Sequence, residues 1–218
     1  MTLERLSRLR QGVYRLFGAG FSYPTRDLLT AAGGAPALFE GLGVFDYAFG
    51  PDVHDAAIVL AEADLDELSV AYVALFEAGV AGAACPPSES AHRSNARTGE
   101  VASLQSELKR MVMRFGLRLD EDAEDIADHI ATEMDVMAML CRRETELRSG
   151  DESVARVLAS ESELLSDHLL RWVPGFSEMV READRHIAYS TLASAVRSLL
   201  AHEKQLLPLL VGESRGQA

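Results

Sequence analysis

Asp128 and His129 stand side by side just before a methionine-rich apolar stretch, and both residue types can take part in chemistry. An aspartate and histidine pair can bind a metal, move a proton or recognise a charged partner. The same pair also suits the start of a helix. If Asp125 is the N-cap residue, Asp128 lies at the third helical position, where a carboxylate favours the free amides and the positive end of the helix dipole. The residues alone leave both interpretations of Asp128 open.

His129 and Glu133 are four residues apart, so on a helix their side chains can touch. A charged carboxylate at this distance would favour the protonated imidazole. The two residues form either a satisfied polar pair at the rim of the core or a polar spot in a groove that receives another chain. Met137, on the same helix, is either a core residue or part of such a groove, because methionine also lines surfaces that accept varied apolar sequences.

The spacings that metal sites require are missing. A di-iron helical bundle needs two Glu-x-x-His units, and only Glu89 and His92 have this spacing. A phosphohydrolase of the His-Asp type would need a histidine before the pair His54-Asp55, and none precedes it. We therefore expect no metal and no bound cofactor.

Nucleophilic catalysis has little support either. Cys85 precedes two prolines and has His92 nearby, but no third residue to orient the histidine and no oxyanion hole is indicated. No glycine-rich phosphate loop occurs. We expect no catalytic residues and no enzyme activity, with a helical enzyme or cofactor carrier that uses the Cys85 to His92 loop as the alternative.

The net charge of −13, from 34 acidic and 21 basic residues, argues against nucleic acids and anionic membranes as partners, because both require clustered lysine and arginine. An acidic surface suits a cationic partner. The two cysteines are far apart and no stretch reaches the ~20 apolar residues of a membrane span. These features predict a cytoplasmic protein without a membrane span.

Apolar residues recur at steps of three and four, which predicts an all-α protein of about eight to ten helices. Asp64, three residues before Glu67, forms a capping-box-like start for a helix that ends near Phe76. Trp172 is expected in the core, with Pro174 ending its helix. The other predicted helices begin near Leu3 and Val101 and cover about Thr25 to Ala32, Ala35 to Phe45, Pro51 to Ala61, Asp125 to Arg148, Glu152 to Trp172 and His186 to Leu210.

Residues 78–99 lack periodicity and are rich in glycine, proline and small polar residues. We interpret this segment as a long loop between an N-terminal and a C-terminal helical group of one domain, residues 1–212. Residues 213–218 are expected to form a flexible tail.

Three stretches of this sequence, in order, have a familiar pattern: "YVALFEAG" followed by "CPPSES", then "ADHIATEMDVMAML", then "SDHLLRWVPGF". With them, the chain from about Tyr14 to Leu200 resembles the TorD/DmsD/NarJ family of maturation chaperones for molybdenum enzymes. In the middle motif Asp128, His129, Glu133 and Met137 match the family pattern. Ala127, Met134 and Val136 depart from it, since they stand where the family has proline, leucine and phenylalanine.

The resemblance implies an all-helical TorD-like chaperone. It would bind the N-terminal leader, often of the twin-arginine type, of a molybdopterin oxidoreductase catalytic subunit and assist cofactor insertion before export. The protein would be a monomer or a homodimer. The residues that it implies for leader binding are Asp125, Asp128, His129, Glu133, Met137, Trp172 and Glu89. A purely structural assembly partner of an oxidoreductase complex is the remaining interpretation.

Overall fold

The computed structural model describes residues 2–77, 82–93, 98–115, 127–149 and 153–216, and these residues form a helical protein. Its helices are α1 (Leu3–Gly20), α2 (Arg26–Leu42), α3 (Gly50–Ala61), α4 (Leu65–Phe76), α5 (Glu89–His92), α6 (Thr98–Met113), α7 (Ile130–Ser149), α8 (Ala155–Leu164), α9 (Leu170–Ala183) and α10 (Ile187–Gly216). The described ranges contain no strand, only one isolated bridge between Ser88 and His129. Among these helices, none has both the length and the apolar composition that crossing a bilayer requires.

Helices α1 and α7 pack along each other at the centre of the fold. Leu9, Val13 and Phe17, which lie on one face of α1 at steps of four residues, are completely buried. Gly18 permits the close approach, since a Cβ atom at this position would lie 2.5 Å from Oδ1 of Asp135 on α7. The pairing therefore depends on an apolar stripe and on one small residue.

Helix α10 is the long helix that the sequence predicted near the C-terminus, and it packs against α3, α8 and α9. Apolar residues along its length are buried, from Ala188 to Leu210. At its start, the backbone N–H of Ala188 donates to Nδ1 of His186. The helix continues to Gly216, so it includes residues that we expected in a flexible tail.

The predicted start and end of α4 are confirmed. Oδ1 of Asp64 accepts hydrogen bonds from the backbone N–H groups of Asp66, at 2.9 Å, and Glu67, at 3.0 Å. These bonds satisfy two amides that lack a partner within the helix. The helix ends at Phe76, as the pattern indicated.

Helix α2 replaces two predicted helices. The sequence predicted a break between Ala32 and Ala35, but the helix runs unbroken from Arg26 to Leu42, through Pro36. Ala32, Ala35 and Phe39 are buried on one side of it, so packing against the core holds both halves in line. It ends at Gly43, whose φ of 80° is the left-handed conformation that glycine adopts without a steric penalty.

The prediction that Pro174 ends a helix was wrong. Helix α8 ends at Leu164, a π-helical turn follows over residues 165–169, and α9 then runs through Pro174 to Ala183. A proline ring normally clashes with the carbonyl four residues earlier, here that of Leu170. This carbonyl directly follows the wider π-helical turn, where the regular backbone geometry is interrupted.

Four helices meet at a buried arginine that sequence reasoning missed. Arg10 of α1 is completely buried, and its guanidinium donates to Glu144 of α7, Glu161 of α8 and both carboxylate oxygens of Glu203 of α10, at 2.6–2.8 Å. Arg148 donates to the second oxygen of Glu144 at 2.7 Å. We call these five residues the Arg10 cluster.

The charges of the Arg10 cluster balance only if one carboxyl group is neutral. Burial raises the pKa of Glu161 to about 8, although Arg10 acts in the opposite direction. At neutral pH, Glu161 therefore keeps its proton. Two guanidinium groups and two carboxylates remain, so the cluster as a whole is neutral.

Candidate functional site

The proline-rich loop is fixed against the start of α7 by backbone hydrogen bonds. The N–H of Glu89 donates to the carbonyl of Asp128, and the N–H of Ile130 donates to the carbonyl of Pro87, both at 2.8 Å. At the other end of the loop, the N–H of Cys85 donates to the carbonyl of Leu75 at the end of α4. We call this contact region, residues 85–93 with residues 127–133 and 165–172, the loop junction.

Asp128 acts as a cap, but not of the helix that the sequence suggested. Helix α7 begins at Ile130, so Asp128 precedes it, and the expected cap Asp125 lies outside the described residues. The buried carboxylate of Asp128 accepts from the backbone N–H of Ser90 in α5, at 3.2 Å, and from the side chain of Gln105 on α6, at 3.1 Å. Asp128, just before α7, thus connects the start of this helix to α5 and α6, through partners 38 and 23 positions earlier in the sequence.

Glu89 is completely buried and holds two basic side chains. Its Oε1 accepts from Nε and Nη2 of Arg93, at 2.9 and 2.5 Å, and its Oε2 lies 2.9 Å from Nδ1 of His168. Nη2 of Arg93 also donates to the backbone carbonyl of Asp167 at 3.1 Å. The side chain of Arg93 remains 38 % exposed, so the guanidinium covers the carboxylate at the protein surface.

Glu133 faces inward, and its pKa is raised well above the usual range by burial and by the negative charge of Glu89. Its Oε2 accepts from the indole N–H of Trp172 at 3.2 Å. A protonated Glu133 can in turn donate to Glu89. In the described part of the chain, Oε1 of Glu133 and Nε2 of His168 have no hydrogen-bond partner although both atoms are buried.

His129 does not pair with Glu133, which corrects the sequence prediction. Its Nδ1 accepts from the backbone N–H of Ala131 at 3.1 Å, so His129 itself caps α7. Burial lowers the pKa of His129, and the charge of Asp128 only partly opposes this. This shift favours the neutral imidazole, and without a side-chain contact to Glu133 the carboxylate that would have favoured the protonated form is not beside it.

The structure brings together four of the residues expected at the leader site: Glu89, Asp128, Glu133 and Trp172. All four are buried, as is Met137 in the core, so their side chains meet neighbouring groups of this chain and are not presented at the surface. His129 is half-buried and is the most accessible of the expected residues that the structure describes.

Sequence reasoning missed the parts played by Arg93 and His168. Arg93 follows Glu89 by four residues on a short helix, so spacing could have suggested that pair. His168 meets Glu89 across 79 positions of sequence, which no local pattern indicates.

The Cys85 to His92 loop does not have the features of a reactive thiol site. Cys85 is buried, and burial raises the pKa of its thiol, whereas a nucleophilic cysteine needs a lowered pKa. Nε2 of His92 lies 2.8 Å from the carbonyl oxygen of Pro86, and its ring packs at a tilt of 34° against that of Trp172. Within the described ranges, no three histidine, cysteine or carboxylate side chains converge as a metal ion requires.

Open concavities lie on other parts of the described surface. A groove of about 680 Å³ between α1 and α2 has an apolar floor, with Arg15 and Asp135 at its rim. Partial burial raises the pKa of Asp135 to about 6, with Arg15 opposing the shift. A second groove, of about 560 Å³, runs along α4 beside the turn that precedes α10.

Comparison with known proteins identifies the family to which this chain belongs. A family model described as nitrate reductase delta subunit matches residues 45–178, more than half of the chain. The chain belongs to this family. The result confirms the resemblance to the TorD/DmsD/NarJ chaperones, and the matched range contains α3, α4, the loop junction and most of α9.

Curated proteins that are similar to this chain are named as chaperones, and some of these names include the assembly of a reductase. The chaperone protein TorD of Vibrio cholerae is 23 % identical over 108 residues, which are 50 % of this chain and 49 % of that protein. The selenate reductase assembly chaperone protein of Thauera selenatis is 31 % identical over 143 residues, 65 % of this chain and 71 % of that protein. The chain spans about half the length of the first of these relatives. These names support the expectation of a chaperone that is not an enzyme.

A solved structure confirms the fold prediction. The crystal structure of a candidate redox enzyme maturation protein from Archaeoglobus fulgidus matches with a TM-score of 0.58 and 26 % identity. The match covers 88 % of this chain and 93 % of that chain.

Proposed function

We propose that this member of the TorD/DmsD/NarJ family is a cytoplasmic chaperone that binds the N-terminal leader of a molybdopterin oxidoreductase catalytic subunit. The leader would be of the twin-arginine type. Binding would keep the catalytic subunit from export until its cofactor is inserted and it is assembled. The family, the reductase-assembly names of its relatives and the net charge of −13 all support a cationic protein segment as the ligand.

The observation that supports this proposal most is that the loop junction already holds a guanidinium at the surface. Arg93 uses the buried carboxylate of Glu89 and the carbonyl of Asp167 as acceptors. A leader arginine has the same donor geometry, and charge-assisted bonds to carboxylates are among the strongest hydrogen bonds in proteins. We infer that a leader arginine exchanges with Arg93 at these acceptors.

Of the other residues expected at the leader site, some would contact the leader and others would support the site from inside the protein. His129, the accessible one, lies beside the loop and would contact the leader directly. Asp128, Glu133 and Trp172 would position the loop and Glu89 from inside. Met137 would support α7 from the core, and Asp125 would add negative charge near the leader.

Calorimetry with leader peptides tests the proposal. The peptides are the N-terminal segments of the molybdopterin oxidoreductase catalytic subunits encoded in the same genome, each also made with both arginines replaced by lysine. We expect the tightest peptide, called the leader peptide below, to lose about tenfold in affinity on lysine replacement, because lysine lacks the planar fork of donors. Failure of every peptide to bind the wild-type protein would refute the proposal.

Protein variants locate the arginine contacts. Asp128→Asn together with His129→Ala should weaken binding of the leader peptide, and Arg93→Ala should strengthen it by removing the competing guanidinium. The matched control is Arg142→Ala, because Arg142 forms an exposed pair with Glu146 at the same spacing of four residues. Circular dichroism of each variant shows whether the helices are retained. Equal affinities for Arg93→Ala and Arg142→Ala would exclude the exchange of guanidinium groups.

A further inference from the structure

Helix α4 carries apolar side chains on its solvent side as well as on its core side. Leu68 and Leu75 are buried, whereas Val70 is 71 % and Val73 is 44 % exposed. A helix that is apolar around its circumference is normally covered on all sides. In the part of the chain that the structure describes, this solvent side is left uncovered.

The uncovered side forms one wall of the groove of about 560 Å³ beside α4. Val70, Ala71 and Ala74 line it on one side, and Arg185 and His186 line it on the other. We call the exposed residues Val70, Val73 and Ala74 the α4 face.

Further apolar side chains extend the α4 face at its edges. Ile187, which follows the groove-lining turn, is 64 % exposed, and Tyr23, whose ring centroid lies 5.4 Å from that of Tyr72, is 52 % exposed. Exposed apolar groups that lie together in this way mark interaction surfaces more often than isolated ones do.

The length of the exposed side of α4, with the α4 face at its middle and acidic residues at its ends, suits a helical ligand. From Asp66 to Glu77 the chain rises about 16 Å, which is three helical turns. Its exposed residues follow one another at steps of three and four, so they form a straight stripe. A partner helix of about three turns can lie along such a stripe with its apolar side facing it.

The acidic residues around the α4 face favour a positively charged ligand. No lysine or arginine occurs from Asp27 to His92, whereas this stretch contains the acidic residues Asp27, Glu40, Asp46, Asp52, Asp55, Glu62, Asp64, Asp66, Glu67, Glu77 and Glu89. Asp66, Glu67 and Glu77 are exposed at the two ends of the face, and none of them forms an ion pair within the described residues. Arg185 and His186 are the basic groups that line the groove.

We propose that the α4 face docks the apolar helical segment of the client leader, whose flanking basic residues meet Asp66, Glu67 and Glu77. This inference rests on the proposed function and adds a second contact surface to it. The two surfaces are connected through the loop, because Leu75 at the end of α4 accepts a hydrogen bond from Cys85, eight residues before Arg93. We expect a leader arginine at the junction to be followed by its apolar segment along α4.

Two variants test the α4 face with the leader peptide as the probe. The first, Val70→Ser with Val73→Ser, removes apolar area, and we expect affinity to fall at least tenfold because two valine side chains are no longer buried on binding. The second, Asp66→Asn with Glu67→Gln, should reduce affinity several-fold and weaken its dependence on salt. Leu209→Ser and Glu213→Gln are the matched controls on the exposed side of α10, and both should bind as the wild type does.

The outcomes separate this inference from the proposed function. If the wild type binds the leader peptide and the Val70/Val73 variant binds it equally well, the α4 face is not the docking surface and the proposed function stands. If the wild type binds no leader peptide, both are overturned. If light scattering finds a dimer that the Val70/Val73 variant converts to a monomer with unchanged peptide affinity, the face is a dimer interface and the inference is overturned.

Discussion

Replacement of Arg10 by methionine should destabilise the protein more than any other single loss of an arginine. The variant removes the donors to Glu144, Glu161 and Glu203, all of which are buried. Breaking a buried ion pair by removing one partner costs about 3–5 kcal/mol, because the remaining charge stays in the interior without compensation. For a chain of this size, each kcal/mol corresponds to about 2–4 °C, so we expect the Tm to fall by about 6–20 °C.

The matched control is Arg8→Met on the same helix. Arg8 donates to Glu4, four residues earlier, and its side chain is 57 % exposed. Exposed ion pairs contribute about 0–1 kcal/mol to stability, so the free energy of unfolding of this variant should be close to that of the wild type. Urea unfolding followed by circular dichroism gives both free energies. If Arg10→Met lies within ~1 kcal/mol of Arg8→Met, the Arg10 cluster does not stabilise the fold as we argue.

Two further substitutions and one labelling experiment probe the interior. The raised pKa of Glu161, about 8 in the fold against 4.5 for the free side chain, means that its stabilising contribution is fully present below about pH 4.5 and is lost as the pH rises through about 8. Glu161→Gln should therefore flatten the decline in stability between about pH 4.5 and 8 in urea titrations, and a decline in the variant as steep as that of the wild type would contradict the assignment. Trp172→Phe removes the donor to Glu133 and should cost about 1–2 kcal/mol in the same assay; a neutral effect would show that the bond contributes nothing. Cys85 should react with a thiol reagent only as fast as the fold opens, since it is buried and burial raises its pKa, so rapid labelling of the native protein would refute its assignment as a structural residue.

Local patterns predicted much of the fold because their causes are local. The spacing of Leu9, Val13 and Phe17 defines the buried face of α1, and the offset between Asp64 and Glu67 defines the start of α4. Both depend on residues within two turns of each other. The all-α fold follows from the same periodicity repeated along the chain.

The local predictions that were wrong concern positions where tertiary packing decides the structure. Packing overrode two predicted breaks, the one between Ala32 and Ala35 in α2 and the one at Pro174 in α9. Asp128 has acceptor positions that suit a local cap, yet its partners come from α5 and α6. A single sequence records the chemistry of such a side chain but not which distant donors reach it.

The candidate site was predicted in part for the same reason. Residue types and the family pattern identified four side chains that the fold brings together, Glu89, Asp128, Glu133 and Trp172. They did not indicate that these side chains are buried or that Glu133 turns away from His129 toward Trp172. Orientation depends on helix packing, which is set by the whole core.

The partners of Arg10 also constrain when this chain can finish folding during its synthesis. Glu203 is added 193 positions after Arg10, and at about 5–20 residues per second the ribosome needs about 10 to 40 s to reach it. Throughout that interval the guanidinium of α1 lacks its bidentate acceptor. A protein whose proposed task is to shield the unfinished N-terminus of another polypeptide thus has a helix, α1, that must itself wait for residues of α10 to be translated.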